Sequence, residues 1–390
     1  MNNTNPRSLD ELSLAWLNAQ AALKKRPGAD SLPVTEDSQP RITRFKAEPV
    51  GETAGFLGDI GRIRLSWDPD GAGVESIIAK FPTLRASNLE TGKGLLAYER
   101  EMRFYQNFSA ECPLHPPAFY GGSDVSGEGD YLLLMEDLES FRFVSQLDVL
   151  SAQDASACLA GLARMHAYYW EKPELDVADS LYQFSDWADI YAPIIATGWP
   201  LFQKDFGDVI PAEMFPMYEP GNAAAGAIFR YFSESRPKTL LHGDARIENF
   251  CFHRNTGAAR AYDWQLAAAG PGIYDVMYFF ANSLAPETLF EQGESMLRDY
   301  HDALVAGGVR DYSFSDLMRD GQLAAVLLFG FSSMVGNFLA NGGDTERAIV
   351  VATTPRYWGV CQFFKVGEII HSLDRAMNNR VRYSRRVEGF

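Results

Sequence analysis

The stretch Leu240–Phe250, LLHGDARIENF, sets a histidine, an aspartate, an arginine and an asparagine behind a pair of leucines. Past it, two strand-like runs, Phe250–His253 and Ala259–Tyr262, flank the turn-former RNTG, and Asp263 follows directly. The pattern predicts an antiparallel hairpin with Phe250 opposite Tyr262, so that Asn249 and Asp263 flank its open end. Residues opposed across such a ladder lie about 5 Å apart, within reach of one ion. Asp244 stands five residues before Asn249, far enough for the loop to double back to the same point. Two carboxylates and an amide oxygen form an oxygen-only set with few protein donors. That set suits Mg2+, which keeps waters and shares its shell with phosphate oxygens. Singly, each residue reads as a turn cap or a strand end; three at one end of one hairpin favour the metal.

A second pair of residues poses an electrostatic problem. In SIIAKFP, strand alternation puts Ile78 and Lys80 on one face, and Pro82 ends the run. On a helical wheel, LLAYEREMRFYQNF gathers Ala97, Tyr98, Phe104, Tyr105 and Phe108 on one side, with Glu99, Arg100 and Arg103 opposite. Glu101 falls in the middle of the apolar side, where a carboxylate is costly without a cation or donor. Lys80 is the expected partner; the alternative is a snorkelling lysine and a half-exposed glutamate. Gly51, Gly55, Gly58 and Gly61 in VGETAGFLGDIG could let backbone amides approach phosphate, although the spacing fits neither standard glycine-rich phosphate motif.

These groups need elements to hold them. Ser8 and Glu11 form a capping box for a leading helix with Leu9, Leu12, Trp16 and Leu23 near helical spacing. RPGADSLPVTEDSQP reads as a linker. RITRFKAEPV, RIRLSW, ESIIAKF and DYLLLMEDL then read as strands, the last ending near Glu136. Ser151 and Asp154 cap a helix through ACLAGLARMHAYYW, and helical patterns dominate from there apart from the hairpin. The expected organisation is an N-terminal helix and linker over 1–40, a small β-rich lobe over 41–138 and a larger helical lobe over 139–390.

With 390 residues, 46% hydrophobic and 22% charged, the chain can bury a sizeable core. A net charge of −16 disfavours nucleic acid and anionic membrane surfaces as partners. Cys112, Cys158, Cys251 and Cys361 show no metal or disulfide spacing, and MNNTNPRSLDELS lacks an apolar leader core, so a reducing cytoplasm is the expected setting. The uncharged run Leu323–Ala340 nears the length of a membrane span, but its serines, asparagine and glycines favour a buried helix.

In order along the chain, WLNAQ, EREMRFY, MEDL, LARMHAYYW, HGDARIEN, DWQ and GIYDVMYF resemble the small-molecule branch of the protein-kinase-like fold, the aminoglycoside phosphotransferase and choline-kinase-like enzymes. They look most like the ecdysteroid-kinase-like (CHK kinase-like) group, over roughly residues 42 to 390. The resemblance implies an α+β, two-lobed fold and transfer of the γ-phosphate of ATP, with Mg2+, to a hydroxyl of a small molecule. It implies that Lys80 holds the α- and β-phosphates and Glu101 orients it, while backbone near Glu136 and Leu138, after Met135, receives adenine. Asp244 would be the catalytic base, Asn249 and Asp263 the metal ligands. Asp275 would brace the catalytic loop, which His242 packs. Arg246 stands where protein kinases place a lysine near the transferred phosphate; a pair with Glu248 is the equal alternative. His166 reads as a packed helix residue. Gln265 replaces a second acid found in many relatives, which weakens any second metal.

Only 12 positions separate Asp263 from Asp275, too few for a long activation segment, which argues against a protein kinase. Trp187, Tyr191, Trp199 and Phe202 could offer apolar faces to an acceptor, whereas the acidic composition suits a cationic one. A catalytically dead nucleotide-binding scaffold of the same fold is the competing reading, although Lys80, Asp244 and Asp263 are all retained.

Overall fold

The computed structural model describes residues 5–20, 23, 40–50, 57–122, 131–176, 181–339 and 343–373. The chain is α+β and divides into two compact units, Met1–Ser140 and Phe141–Phe390.

In the first unit the leading helix starts later than expected. The Glu11 carboxylate takes the N–H of Arg7 rather than that of Ser8, leaving a 3-10 turn, Leu9–Glu11, and an extended Leu12. Ser13 then caps α1 (Leu14–Ala19), its hydroxyl accepting the Trp16 N–H at 3.2 Å. The predicted linker falls almost wholly outside the described residues. Strands β1 (Arg41–Pro49), β2 (Gly58–Asp68), β3 (Ser76–Pro82), β4 (Phe119–Gly122) and β5 (Leu133–Glu136) form one antiparallel sheet in the order β1-β2-β3-β5-β4. β4 escaped notice because four residues with a bulge carry no readable alternation. Ile77, Ala79 and Phe81 of β3 join Trp16, Leu17, Ile63 and Trp67 in one core. Asn18 ties α1 to that sheet, donating to Ile42 O at 2.9 Å and accepting the Ile42 N–H at 2.7 Å. Helices α2 (Ala86–Gly94) and α3 (Ala97–Asn107) complete the unit.

The second unit is mainly helical: α4 (Ala152–Tyr168), α5 (Phe184–Phe206), α6 (Tyr218–Ser235), α7 (Ile273–Ser283), α8 (Pro286–Ala306), α9 (Phe314–Leu339) and α10 (Asp344–Phe363). Ser151 caps α4 as read, taking the Asp154 N–H at 3.1 Å. The expected hairpin forms, a third strand joins it, and a second small sheet escapes the sequence pattern. β6 (Phe141–Phe143), β9 (Phe250–His253) and β10 (Ala259–Ala261) pair in the order β10-β9-β6, and β7 (Tyr182–Gln183), β8 (Thr239–Leu241) and β11 (Ala268–Gly270) in the order β7-β11-β8. The uncharged run lies in α9, where Ala324 to Phe329 are at most 1% exposed. Its glycines serve close packing: a Cβ on Gly336 would come within 2.3 Å of Gly198 O on α5. Among the described residues no helix is long and apolar enough to cross a membrane.

Candidate active site

In the first unit, β3 directs its odd residues into the core, which leaves Lys80 on the opposite face. Glu101 lies on the buried side of α3 with Tyr98, Met102, Phe104 and Tyr105. The two side chains meet, Lys80 Nζ lying 2.8 Å from one carboxylate oxygen of Glu101 and 3.0 Å from the other. Tyr131 donates its hydroxyl to the same carboxylate at 2.7 Å. Lys80 is 5% exposed and Glu101 1%, so each depends on the other to offset desolvation. The snorkelling alternative does not describe this pair.

Of the four glycines read as a phosphate approach, Gly51 and Gly55 lie outside the described residues. Gly61 serves packing, since a Cβ there would overlap the Leu9 side chain at 2.3 Å. Gly58 leaves room for Lys80, whose Cε would lie 3.1 Å from such a Cβ. At the end of β5, the Glu136 N–H is taken by Ala118 O at 2.9 Å, and its carboxylate accepts the Ala118 N–H at 3.0 Å. Leu138 is buried, and its own main chain has no hydrogen-bond partner among the described residues.

In the second unit the motif loop leaves β8 and is pinned by one buried carboxylate. Asp275 of α7 accepts the N–H of His242 at 2.7 Å and that of Gly243 at 3.0 Å. His166 Nε2 lies 3.3 Å from the same carboxylate, and its Nδ1 lies 2.7 Å from the Tyr300 hydroxyl. Sequence reasoning gave His166 no part beyond packing, because helical spacing does not reveal a hydrogen bond across 109 positions. His242 stacks near Phe250 and Trp264, with Nε2 3.0 Å from Tyr262 O. Gly243 has φ +82°, and a Cβ on it would lie 1.9 Å from Leu266 O. Gly243→Ala is therefore expected to lower stability by about 3 kcal/mol or more, read by chemical denaturation.

This loop folds Asp244 back on Asn249. The Asn249 amide donates to Asp244 O at 2.8 Å and to Asp244 Oδ2 at 2.9 Å. With Nδ2 so committed, Asn249 Oδ1 is the amide's free acceptor, and no donor reaches it among the described residues. The hairpin register differs by one from expectation. A four-residue loop pairs His253 with Ala258, so Phe250 faces Ala261, and Tyr262 donates its N–H to Asn249 O at 3.0 Å. Asp263 comes one residue past that bond at φ +64°, a backbone conformation that costs an acidic residue energy and turns it out of the strand. No three His, Cys, Asp or Glu side chains are placed to hold a metal among the described residues. The oxygen donors here are an amide and carboxylates, a set whose remaining positions would fall to water and phosphate, which fits Mg2+.

Arg246 makes the predicted pair with Glu248, Nη1 to Oε2 at 3.0 Å, but it is no isolated surface pair. Its Nε donates to Asp244 Oδ2 at 3.1 Å and its Nη1 to Gln146 Oε1 at 2.6 Å. Burial opposes the guanidinium charge, yet Asp244, Glu248 and Asp263 outweigh it and hold the group well above its usual value. The charge of Asp244 also reaches the tyrosines Tyr191, Tyr274, Tyr278 and Tyr357. Burial is the first cause that pushes each hydroxyl up, and Asp244 adds to all four, with Tyr357 at about 12. The four hydroxyls remain neutral near pH 7, able to donate a hydrogen bond but not to act as a base.

Trp187 and Phe202 are core residues at 0% and 2% exposure and offer no open apolar face, whereas Trp199 is half-buried and stacks on Tyr218 at 4.4 Å. Gln265 is buried at 7% with Nε2 unpartnered.

A small antiparallel sheet unit is followed by a larger, mainly helical unit, a fold shared with solved small-molecule kinases. Choline kinase from Cryptosporidium parvum Iowa II shares it with a TM-score of 0.52 at 9% identity, over 88% of this chain and 95% of that one. A choline/ethanolamine kinase family protein from Mesorhizobium loti aligns with a TM-score of 0.49 at 13% identity, over 92% and 98%. Choline kinase LicA from Streptococcus pneumoniae aligns with a TM-score of 0.49 at 15% identity, over 81% and 93%. Within that fold, residues 223–310, which contain the motif loop, the hairpin and Asp275, match the ecdysteroid kinase-like family. No curated protein matches the sequence.

Proposed function

We propose that this chain transfers the γ-phosphoryl group of ATP to a hydroxyl of a small molecule. The observation that carries the reading is the Asp244–Asn249 arrangement: one loop, pinned through Asp275, holds a carboxylate beside an amide whose oxygen is left as an acceptor. Phosphoryl transfer asks the protein chiefly for position and charge neutralisation. Asp244 orients the acceptor hydroxyl and takes its proton. Asn249 and Asp263 would hold Mg2+, which when bound neutralises charge on the phosphate oxygens. Residues 41–138 serve the nucleotide: Lys80, fixed by Glu101, binds the α- and β-phosphates, and main chain at Glu136 and Leu138 receives the adenine. The Leu138 main chain, unpartnered among the described residues, supports that last assignment, and the family match over 223–310 supports the transfer residues. The setting proposed is the cytoplasm.

The test is ADP formation from ATP with Mg2+ against pooled alcohols covering amino alcohols, sugars and sterol-like alcohols. Acceptor-dependent ADP is expected, abolished by a chelator and restored by added Mg2+. Asp263→Ala and Asn249→Ala should raise the Mg2+ concentration needed for half-maximal rate by about 10-fold or more, as loss of one of few protein ligands implies. A rate indifferent to chelation and to both substitutions would remove these residues from the metal site.

A further inference from the structure

The loop between β6 and α4 is held from below by an arginine that the proposed transfer chemistry does not use. Arg356 of α10 is 5% exposed, and among the described residues its guanidinium donates only to main-chain carbonyls: Gln146 O at 3.1 Å, Asn282 O at 3.2 Å and Leu147 O at 3.1 Å. Burial pulls it below the usual arginine value, with Asp148 only partly opposing. A second bond, Leu150 N–H to Ser283 O at 2.8 Å, straps the same loop to the end of α7. A buried arginine with no ion-pair partner among the described residues is an expensive way to fix a short loop, unless the position of that loop matters.

What the loop carries is Gln146, itself 8% exposed, whose Oε1 accepts from Arg246 Nη1 at 2.6 Å. The other two acceptors on Arg246, Asp244 and Glu248, belong to the same short loop as Arg246 and would move with it. Among the described residues, Gln146 is the acceptor that ties the guanidinium to the rest of the unit.

We propose that Gln146, held by Arg356, is a positioning residue for the transfer step: it fixes the Arg246 guanidinium against Asp244 and so sets the direction in which the Asp244 carboxylate faces an acceptor. The inference rests on the reading of Asp244 as the base. Displacements of about 1 Å at a reacting group can cost on the order of 100-fold in rate, so a neutral side chain two contacts away can matter.

The test compares Gln146→Ala, Gln146→Glu and Arg356→Gln with wild type and Asp244→Ala in the full chain. Two readouts are taken: crystal structures of each variant, and kinetics of Mg·ATP turnover with water as the probe acceptor. In Gln146→Ala the Arg246 guanidinium should leave Asp244, with kcat lowered about 10- to 100-fold and KM for ATP within about twofold. Gln146→Glu keeps an acceptor oxygen and should retain both the Arg246 position and most of the rate; Arg356→Gln should resemble Gln146→Ala. An unmoved Arg246 in Gln146→Ala overturns the inference, as does an equal loss in the Ala and Glu variants. Undiminished turnover in Asp244→Ala would instead overturn the reading beneath it. An inactive Asp244→Ala beside a fully active Gln146→Ala would overturn this inference alone.

Discussion

Asp244→Ala is expected to lower kcat for phosphoryl transfer by about 10²- to 10⁴-fold, the usual worth of a positioned general base, with ATP binding changed little. The prediction follows from the chemistry of its surroundings. Four tyrosines stand close enough to feel the Asp244 charge, and burial keeps all of them protonated. His242, the other basic group of the motif, is committed at both ring nitrogens, to Tyr262 O and to the Asp244 N–H. Under the proposed function, Asp244 is then the group that accepts the proton of an incoming hydroxyl. Asp244→Asn tests the same point with less disturbance, since an amide oxygen can still accept from Arg246 and Asn249. Steady-state kinetics should show both variants falling together. A near-normal rate in the Asn variant would mean that the residue holds the loop and does not take the proton.

Lys80→Met is expected to damage both activity and stability. Removing one partner from a buried ion pair leaves the other charge uncompensated, at a cost of about 3–5 kcal/mol. The Tyr131 hydroxyl on Glu101 softens that loss toward the lower end. The double variant Lys80→Met with Glu101→Leu removes both charges and should regain most of the stability, to within about 1 kcal/mol of wild type, because no buried charge is left uncompensated. It should not regain phosphoryl transfer. Denaturant unfolding and ATP turnover, measured on the same preparations, separate the two roles. Activity that returned with stability would reduce the pair to a packing device.

How much of this was legible in the residues differs from place to place. Lys80 and Glu101 could be paired because strand alternation and a helical wheel each fix a face, and a carboxylate in an apolar face demands a cation. Asp244 and Asn249 could be brought together because a five-residue loop has few ways to close. The hairpin register was read one residue out: the loop length was visible in RNTG, but Asn249 faces Tyr262 and Asp263 lies beyond the ladder at positive φ. Gly61 looked like a phosphate contact and is a seat for Leu9, a contact between segments that no local pattern announces. His166, Gln146 and Arg356 were invisible for the same reason. Their partners lie 109, 100 and 210 positions away, and each is joined by a hydrogen bond that leaves no periodicity. Short strands such as β4, β7 and β11, of two to four residues, carry too few side chains to alternate.

The central claim is that a hydroxyl-bearing small molecule receives a phosphoryl group from ATP through Asp244. Its most direct measurement is acceptor-dependent ADP formation with Mg2+, run on wild type and Asp244→Ala side by side and confirmed by 31P NMR of the phosphorylated product. The expected result is a phosphate ester formed by wild type, at a rate at least about 100-fold lower in the variant. Nucleotide binding with no ester from any acceptor, or the same ester at the same rate from both proteins, would contradict the account.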